Sequence, residues 1–276
     1  MGGRHGLLGA LPALGCASLA ALAYAGTVEW IAPELSLLLP LLAVFLAAAI
    51  ASIAGFAFAP ISAVMLVHLV DDPVRVVSMI LFGSITMQSF CLISLWREMD
   101  WPAALVAAIG GLATLPLGLM LLLAMTGRTH VVVLGAMLIL YSCWMLWRPK
   151  DAPAKRLPRW AIVMAGAAGG ITGGLAAFPS APLTACYGWR GVGRVAFRGT
   201  VQPYILIMQV AALLLLHLLT PARAPMSGFD PTLLLVAGPA LFGTICGLQL
   251  YGRLSDRHFA RVMNLMLLAA GIGMLA

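Results

Sequence analysis

Residues 160–189 read WAIVMAGAAGGITGGLAAFPSAPLTACYGW, a stretch free of Asp, Glu, Lys and Arg. As one helix at about 1.5 Å per residue it would extend about 45 Å. The hydrocarbon core of a bilayer is only about 30 Å thick. Gly169-Gly170-Ile171-Thr172-Gly173-Gly174, then Phe178-Pro179-Ser180-Ala181-Pro182, stand near its middle, where a helix is easily interrupted. The stretch is therefore either one long tilted helix or two shorter helices that dip in and turn back. Residues 35–70 pose the same alternative, with Gly55-Phe56-Ala57-Phe58-Ala59-Pro60 near the middle.

Composition sets the surroundings. Of 276 residues 62% are hydrophobic and only 9% charged, whereas soluble domains carry roughly 25% charged residues. Too few charges remain to coat a water-facing surface, so most of the outside must meet lipid. Uncharged stretches at 76–96, 101–127, 129–147, 199–222 and 231–252, and a last apolar one from about His258 to the end that carries Arg261 near its start, are long enough to cross a bilayer. Trp96, Trp101, Trp147, Trp160 and Trp189 flank span ends as an aromatic belt does. The fold class expected is an all-α polytopic membrane bundle.

The net charge of +7 comes without a basic helix or an aromatic platform, which excludes nucleic acid as a partner. The cysteines (Cys16, Cys91, Cys143, Cys186, Cys246) are isolated in apolar runs, without a CxxC pair or a His at ligand spacing, and read as buried thiols. No metal or other cofactor is implied. A Walker-type phosphate loop is missing from the sequence, and no cluster of His, Asp, Glu or Cys offers an enzyme its catalytic groups. Arg4 and His5 precede an apolar stretch ending near Ala23-Tyr24-Ala25, which resembles a signal-peptidase site. The uncharged run from Gly6 to Val28 is long enough to span, so an uncleaved N-terminal helix within 1–34 is preferred.

The basic segment 148–159 divides the rest into a first repeat, 35–147, and a second, 160–276. Gly118-Leu119-Met120-Leu121 aligns with Gly247-Leu248-Gln249-Leu250, and in that register Arg128 falls on Arg257. Gly55 to Pro60 aligns with Ala177 to Pro182, after which Arg75-Val76 falls on Arg194-Val195. Charge counting then favours turning back. If every stretch crosses once, the two sides hold seven and nine Lys and Arg residues. If both opening segments re-enter, the linker side holds thirteen, leaving Arg75, Arg128 and Arg223 opposite; re-entry of the second alone gives twelve against four. The double-hairpin reading satisfies the positive-inside rule and gives two inverted repeats whose broken helices meet near the midplane. It puts the N-terminus in the cytoplasm and the C-terminus outside.

Broken helices inside lipid are tolerated only against a cavity or packed protein. Ser180 is expected to cap a half-helix starting near Ala181, with Pro182 in its first turn; Pro60 and Ser62 play that part in the first half. Exposed N–H groups there attract anions. Gly55, Gly173 and Gly174 belong to the same breaks, and close helix packing is the alternative reading of these glycines. Arg194 and Arg198 share a helical face. Arg198 opens Arg198-Gly199-Thr200-Val201-Gln202-Pro203, and a guanidinium matches sulfonate, sulfite or carboxylate oxygens in two-pronged fashion. The alternative is that both arginines reach for headgroups. Ser84 and Gln88 on the corresponding first-half helix, with Thr200 and Gln202, complete the candidate anion site; Gln209, Gln249 and Asn264 read as interhelical hydrogen-bonding groups.

The Gly-rich break before Phe-x-x-x-Pro in each half, the basic residues after it and the later Gly-Leu-x-Leu helix resemble the TauE/SafE sulfite exporter family, also grouped with toluene sulfonate uptake permeases. The resemblance covers roughly residues 40–276. The family's GxGGG-type run reads Ala51-Ser52-Ile53-Ala54-Gly55 and Gly173-Gly174-Leu175-Ala176-Ala177 here, so several glycines are replaced. Arg198-Gly199-Thr200 resembles the family's Arg-x-Thr-like step. The resemblance implies a bacterial inner-membrane permease moving sulfite, organosulfonates or related carboxylates, its partners being the solute and the lipid, with homo-oligomers compatible. The competing readings are a non-transporting scaffold subunit and a carrier of a different solute.

Overall fold

The computed structural model describes residues 35–54, 57–147, 157–190, 194–219 and 232–251, with single positions 264, 265, 268, 271, 272 and 275. The N-terminal segment 1–34, Gly55 and most of the basic segment fall outside that set, as do the side chains of Arg194 and Trp189. Among the described residues the regular structure is helical, without strands: α1 Leu35–Ala54, α2 Phe58–Leu66, α3 Pro73–Leu95, α4 Trp101–Ala124, α5 Gly127–Trp147, α6 Arg159–Ala176, α7 Ser180–Trp189, α8 Arg194–Leu219 and α9 Thr232–Tyr251, with a short 3-10 turn Trp96–Glu98.

Among the described residues four helices are long and apolar enough to cross a membrane, at Pro73–Ile93, Trp101–Ala124, Gly127–Trp147 and Ala196–Leu219. Their starts follow local chemistry. Asp72 accepts a hydrogen bond from Val74 N at 3.0 Å and Asp100 from Ala103 N at 3.2 Å, each with a proline in the first turn. Large apolar side chains line the outside, Ile109 at 67% and Leu140 at 71% exposure among them, a surface only lipid accommodates.

Both long opening stretches are interrupted. The first breaks between α1 and α2, the second between α6 and α7. At the second, Ala177 takes a left-handed conformation, φ 53° and ψ 23°, and its N–H donates to Thr172 O. Phe178 N donates to the same oxygen at 3.3 Å, and the Thr172 hydroxyl donates back to Phe178 O at 2.9 Å. Pro179 then packs on Gly169 and Gly173, two turns back along α6. The chain doubles back on itself here; residues 160–189 are not a single rod.

Small residues decide how the helices pair. Gly110 abuts Val163 O, and Gly118 abuts Ile171 O; the same step on both helices makes α4 and α6 parallel neighbours. Gly166, Gly170 and Gly174 meet the main chain of Ala107, Gly111 and Gly118 in turn, and Thr114 Oγ1 donates to Ala167 O at 2.6 Å. Packing, the alternative reading of these glycines, is what this stripe does. On the other side of the molecule Gly243 abuts Phe45 O and Gly247 abuts Ala49 O, so α1 and α9 are also parallel and in main-chain contact. In both pairs the opening helix of one half lies along the Gly-Leu-x-Leu helix of the other.

Turn contacts fix the two ends of the bundle. Asp100 N donates to Gly199 O at 3.0 Å, so α8 begins at the Trp101 end. Asp71 O lies 3.7 Å from where a Gly127 Cβ would stand, so α3 begins at the opposite, Thr126 end. The Trp96 and Trp101 rings meet at a tilt, 5.0 Å between centroids, at the first of these ends. Cys91 is buried as expected, but Cys143 and Cys246 are exposed, because their helix faces look outward rather than into the bundle.

Candidate functional site

The first break is built around Arg198. This residue lies one turn into α8, is buried at 7% exposure, and its Nη2 donates to Ser52 O in the last turn of α1 at 3.5 Å. The last carbonyls of a helix have no intrahelical partner, and they carry the negative end of its dipole. A guanidinium there meets both needs. Arg198 also acts electrostatically on Cys91 of α3, and Gln88, one turn earlier on the same face, is buried with its Oε1 accepting no hydrogen bond. Arg198 thus joins the start of α8, in the second half of the chain, to the end of α1 in the first.

Other expected contributors are buried, and two of them bond back to their own helices. Ser62 Oγ donates to Phe58 O at 2.7 Å and to Ala59 O at 3.2 Å, folding back on its own helix. Thr200 Oγ1 donates to Ala196 O at 3.2 Å, and its side chain hydrogen-bonds Tyr187 of α7. Gln202 is fully buried, and Ser84 lies beside Gly83, against which the Phe58 ring packs.

The capping expectation is corrected. Helix α7 starts at Ser180, not Ala181, with Pro179 preceding it in a helical conformation and no side-chain cap. Ser180 is buried in the first position instead. Helix α2 begins after Ala57, likewise without a side-chain cap. Pro60 and Pro182 each occupy the third position of their short helix. They remove one of the free donors that the anion argument relied on. Both serines fail as caps because each lies within its short helix, Ser180 at the first position and Ser62 at the fifth, whereas a capping residue stands just outside in a non-helical conformation.

The second break has a different lining. Gln209 Nε2 of α8 approaches Ala177 O at 3.5 Å. His130 of α5, buried, places Nε2 3.1 Å from Leu175 O, and the Tyr141 ring meets Phe178 edge-on at 5.3 Å. Nearer the middle, Tyr204 OH donates to Gly166 O at 3.0 Å. His130 and Tyr204 were not marked by the sequence: each stands singly in an apolar run, and only helix packing reveals the carbonyl it meets. The breaks do not share one level, contrary to the expected meeting at the midplane. Arg198 and Gln209 are about 16 Å apart along α8, and each break lies toward its own end of the bundle. The reason is length: α1 and α6 have 20 and 18 residues, so each passes the centre before it stops.

Apolar spans, a lipid-facing exterior and two interrupted helices backed by buried polar side chains define a polytopic helical membrane protein. The chain belongs to the sulfite exporter TauE/SafE family, whose model matches residues 39–274, and so stands among membrane transport proteins. No curated protein and no solved structure gives a match.

Proposed function

We propose that this protein is a secondary transporter of a small anion, such as sulfite, an organosulfonate or a related carboxylate, working by alternating access between two inverted repeats. The observation that carries the reading is Arg198: a guanidinium buried at the end of a broken helix is costly unless the site uses its charge. One of its donors goes to Ser52 O, and the planar fork of a guanidinium matches the oxygens of a small oxyanion. Gln88 adds a buried amide on the same side.

The packing supports a moving-part assignment. Helices α4 and α6, and helices α1 and α9, touch through glycines at main-chain distance, so each pair behaves as a rigid arm. Each arm takes one helix from each half, and α3 and α8 lie between them. The second hairpin starts at the Trp101 end and its break points to the Thr126 end; the first is opposite, as an inverted duplication requires. Arg97, Arg159 and Arg190 gather at the Trp101 end against Arg75 and Arg128 at the other. By the positive-inside rule that end is cytoplasmic, in the inner membrane of a bacterium, with the N-terminus inside and the C-terminus outside.

Uptake of radiolabelled sulfite, sulfonates and small carboxylates into proteoliposomes tests this reading. One of these anions should be carried, and Arg198→Ala should abolish its flux while the protein still inserts. Unchanged flux in that variant overturns the assignment of Arg198.

A further inference from the structure

His130 is a buried base set against the hinge of the second hairpin. It stands one turn into α5, its N–H donating to Thr126 O, and is 1% exposed. The other described histidines, His68 and His217, are exposed. The His130 Nε2 lies 3.1 Å from Leu175 O. A carbonyl oxygen can only accept, so Nε2 carries the hydrogen and the neutral ring keeps its lone pair on Nδ1. Leu175 is in the last turn of α6, where carbonyls lack intrahelical partners, two residues before the left-handed Ala177. The end of this helix is thus held from two sides, by His130 of α5 and, at Ala177 O, by Gln209 of α8.

A proton added at Nδ1 makes an imidazolium with a second N–H to satisfy. Shut between α5 and the end of α6, that charge and that donor are costly, whereas an opening that admits water serves both. The described ionisable groups give no counter-charge inside the contact. Arg128 on α5, His68, Asp71 and Asp72 before α3, Arg75 on α3 and His217 on α8 are all exposed. Tyr141 and Cys143 lie about three turns further along α5. Arg159 starts α6, while Cys186, Tyr187 and Arg190 close α7, all away from Leu175. The described parts of α2 and α4 carry no ionisable side chain. We propose that His130 is a proton-operated latch. Neutral, its Nε2–H fastens α5 to the end of α6; protonated at Nδ1, it lets go, and the end of the second hairpin opens to water at the Thr126 end. That opening is a step of a transport cycle only on the alternating-access reading, whereas the latch itself needs no anion.

Cysteine reactivity in the purified protein, free of sulfite and organic anions, tests the latch. With the native cysteines replaced, Ala176→Cys puts a thiol in the last turn of α6, at a position 3% exposed. Thr126→Cys gives an exposed reference at the same end, and the ratio of their maleimide rates removes the pH dependence of the thiol chemistry itself. Should Ala176→Cys not fold, Leu134→Cys, one turn on from His130 and 4% exposed, takes its place. From about pH 8 to about pH 5.5, on either side of the ordinary histidine value, the ratio should rise about tenfold and fall back when the pH is restored. His130→Gln keeps an N–H for Leu175 O but does not ionise in this range, so its ratio should stay level; His130→Asn serves if that variant does not fold. A level ratio with His130 present, which is what a histidine that merely packs would give, overturns the proposal. So does a pH response that survives in the glutamine or asparagine variant. No anion flux enters the readout, so a failed latch leaves the role of Arg198 standing, and inactive Arg198→Ala leaves the latch standing.

Discussion

The guanidinium of Arg198 donates to the main-chain oxygen of Ser52 at 3.5 Å, which ties the start of α8 to the end of α1 across the two halves of the chain. A lysine keeps the charge but not the fork, and cannot hold Ser52 O and an oxyanion in one plane. Losing one charge-assisted hydrogen bond costs about 1.5–3 kcal/mol. Arg198→Lys should therefore raise the half-saturating anion concentration by roughly tenfold or more and leave the unfolding midpoint nearly unchanged. Concentration-dependent uptake in proteoliposomes measures the first quantity, and thermal unfolding the second.

Ala177 supplies a prediction of the opposite sign. Its φ of 53° is left-handed, which costs an L-residue with a Cβ about 1–2 kcal/mol. Glycine adopts it freely. Ala177→Gly should stabilise the protein by about 1 kcal/mol, seen as a higher unfolding midpoint. Ala177→Val, branched at Cβ, should destabilise it by more than that. If both variants melt together with the wild type, the doubling-back at this residue is wrong.

That residue also shows how far the sequence could be read. The length of 160–189 against the bilayer, with Gly and Pro near the middle, foretold an interruption, and the charge count favoured doubling back over a straight crossing. The exact turn was not legible, because Ala177 stands where glycine is the natural choice. Arg198 was legible as a charge at membrane depth, since so few residues there are ionisable. Its partner was not, since Ser52 O is a main-chain atom far away in sequence. Ser180 and Ser62 misled for a general reason: a serine caps a helix only when its own backbone stays non-helical just before the first turn, and backbone angles are not written in residue type. The glycines of α6 gave two readings, and the choice of packing depended on the partner helix lying in parallel register.

The parallel α4–α6 contact should be the least tolerant surface in the molecule. A Cβ on Gly170 would collide with Gly111 O and with the Thr114 hydroxyl, and main-chain atoms cannot rotate away. Gly170→Val should destabilise by about 3 kcal/mol, the upper part of the usual overpacking range, and shift material to aggregate on size exclusion. Gly243→Val should do likewise through Phe45 O. Ala113→Val, on the exposed face of α4, should stay within about 0.5 kcal/mol of wild type.

The doubling-back at Ala177 makes a topological demand that labelling can check. In the folded chain α6 begins beside the start of α4, and Gly199 of α8 bonds Asp100 at that same end. Pro158 and Arg190 must then face one side of the membrane, with Thr126 on the other. A straight rod from 159 to 189 would instead put Arg190 on the Thr126 side. With Cys16, Cys91, Cys143, Cys186 and Cys246 replaced, single cysteines from Pro158→Cys, Arg190→Cys and Thr126→Cys can be exposed in whole cells to a membrane-impermeant maleimide. The first two should be protected until the membrane is permeabilised, and the third should react at once, if the Trp101 end is cytoplasmic as proposed on the positive-inside rule. Reaction of Arg190→Cys together with Thr126→Cys would mean that the second opening segment crosses the bilayer once. The break at Ala177 would then be a kink, and the proposed inverted relation between the halves would be lost with it.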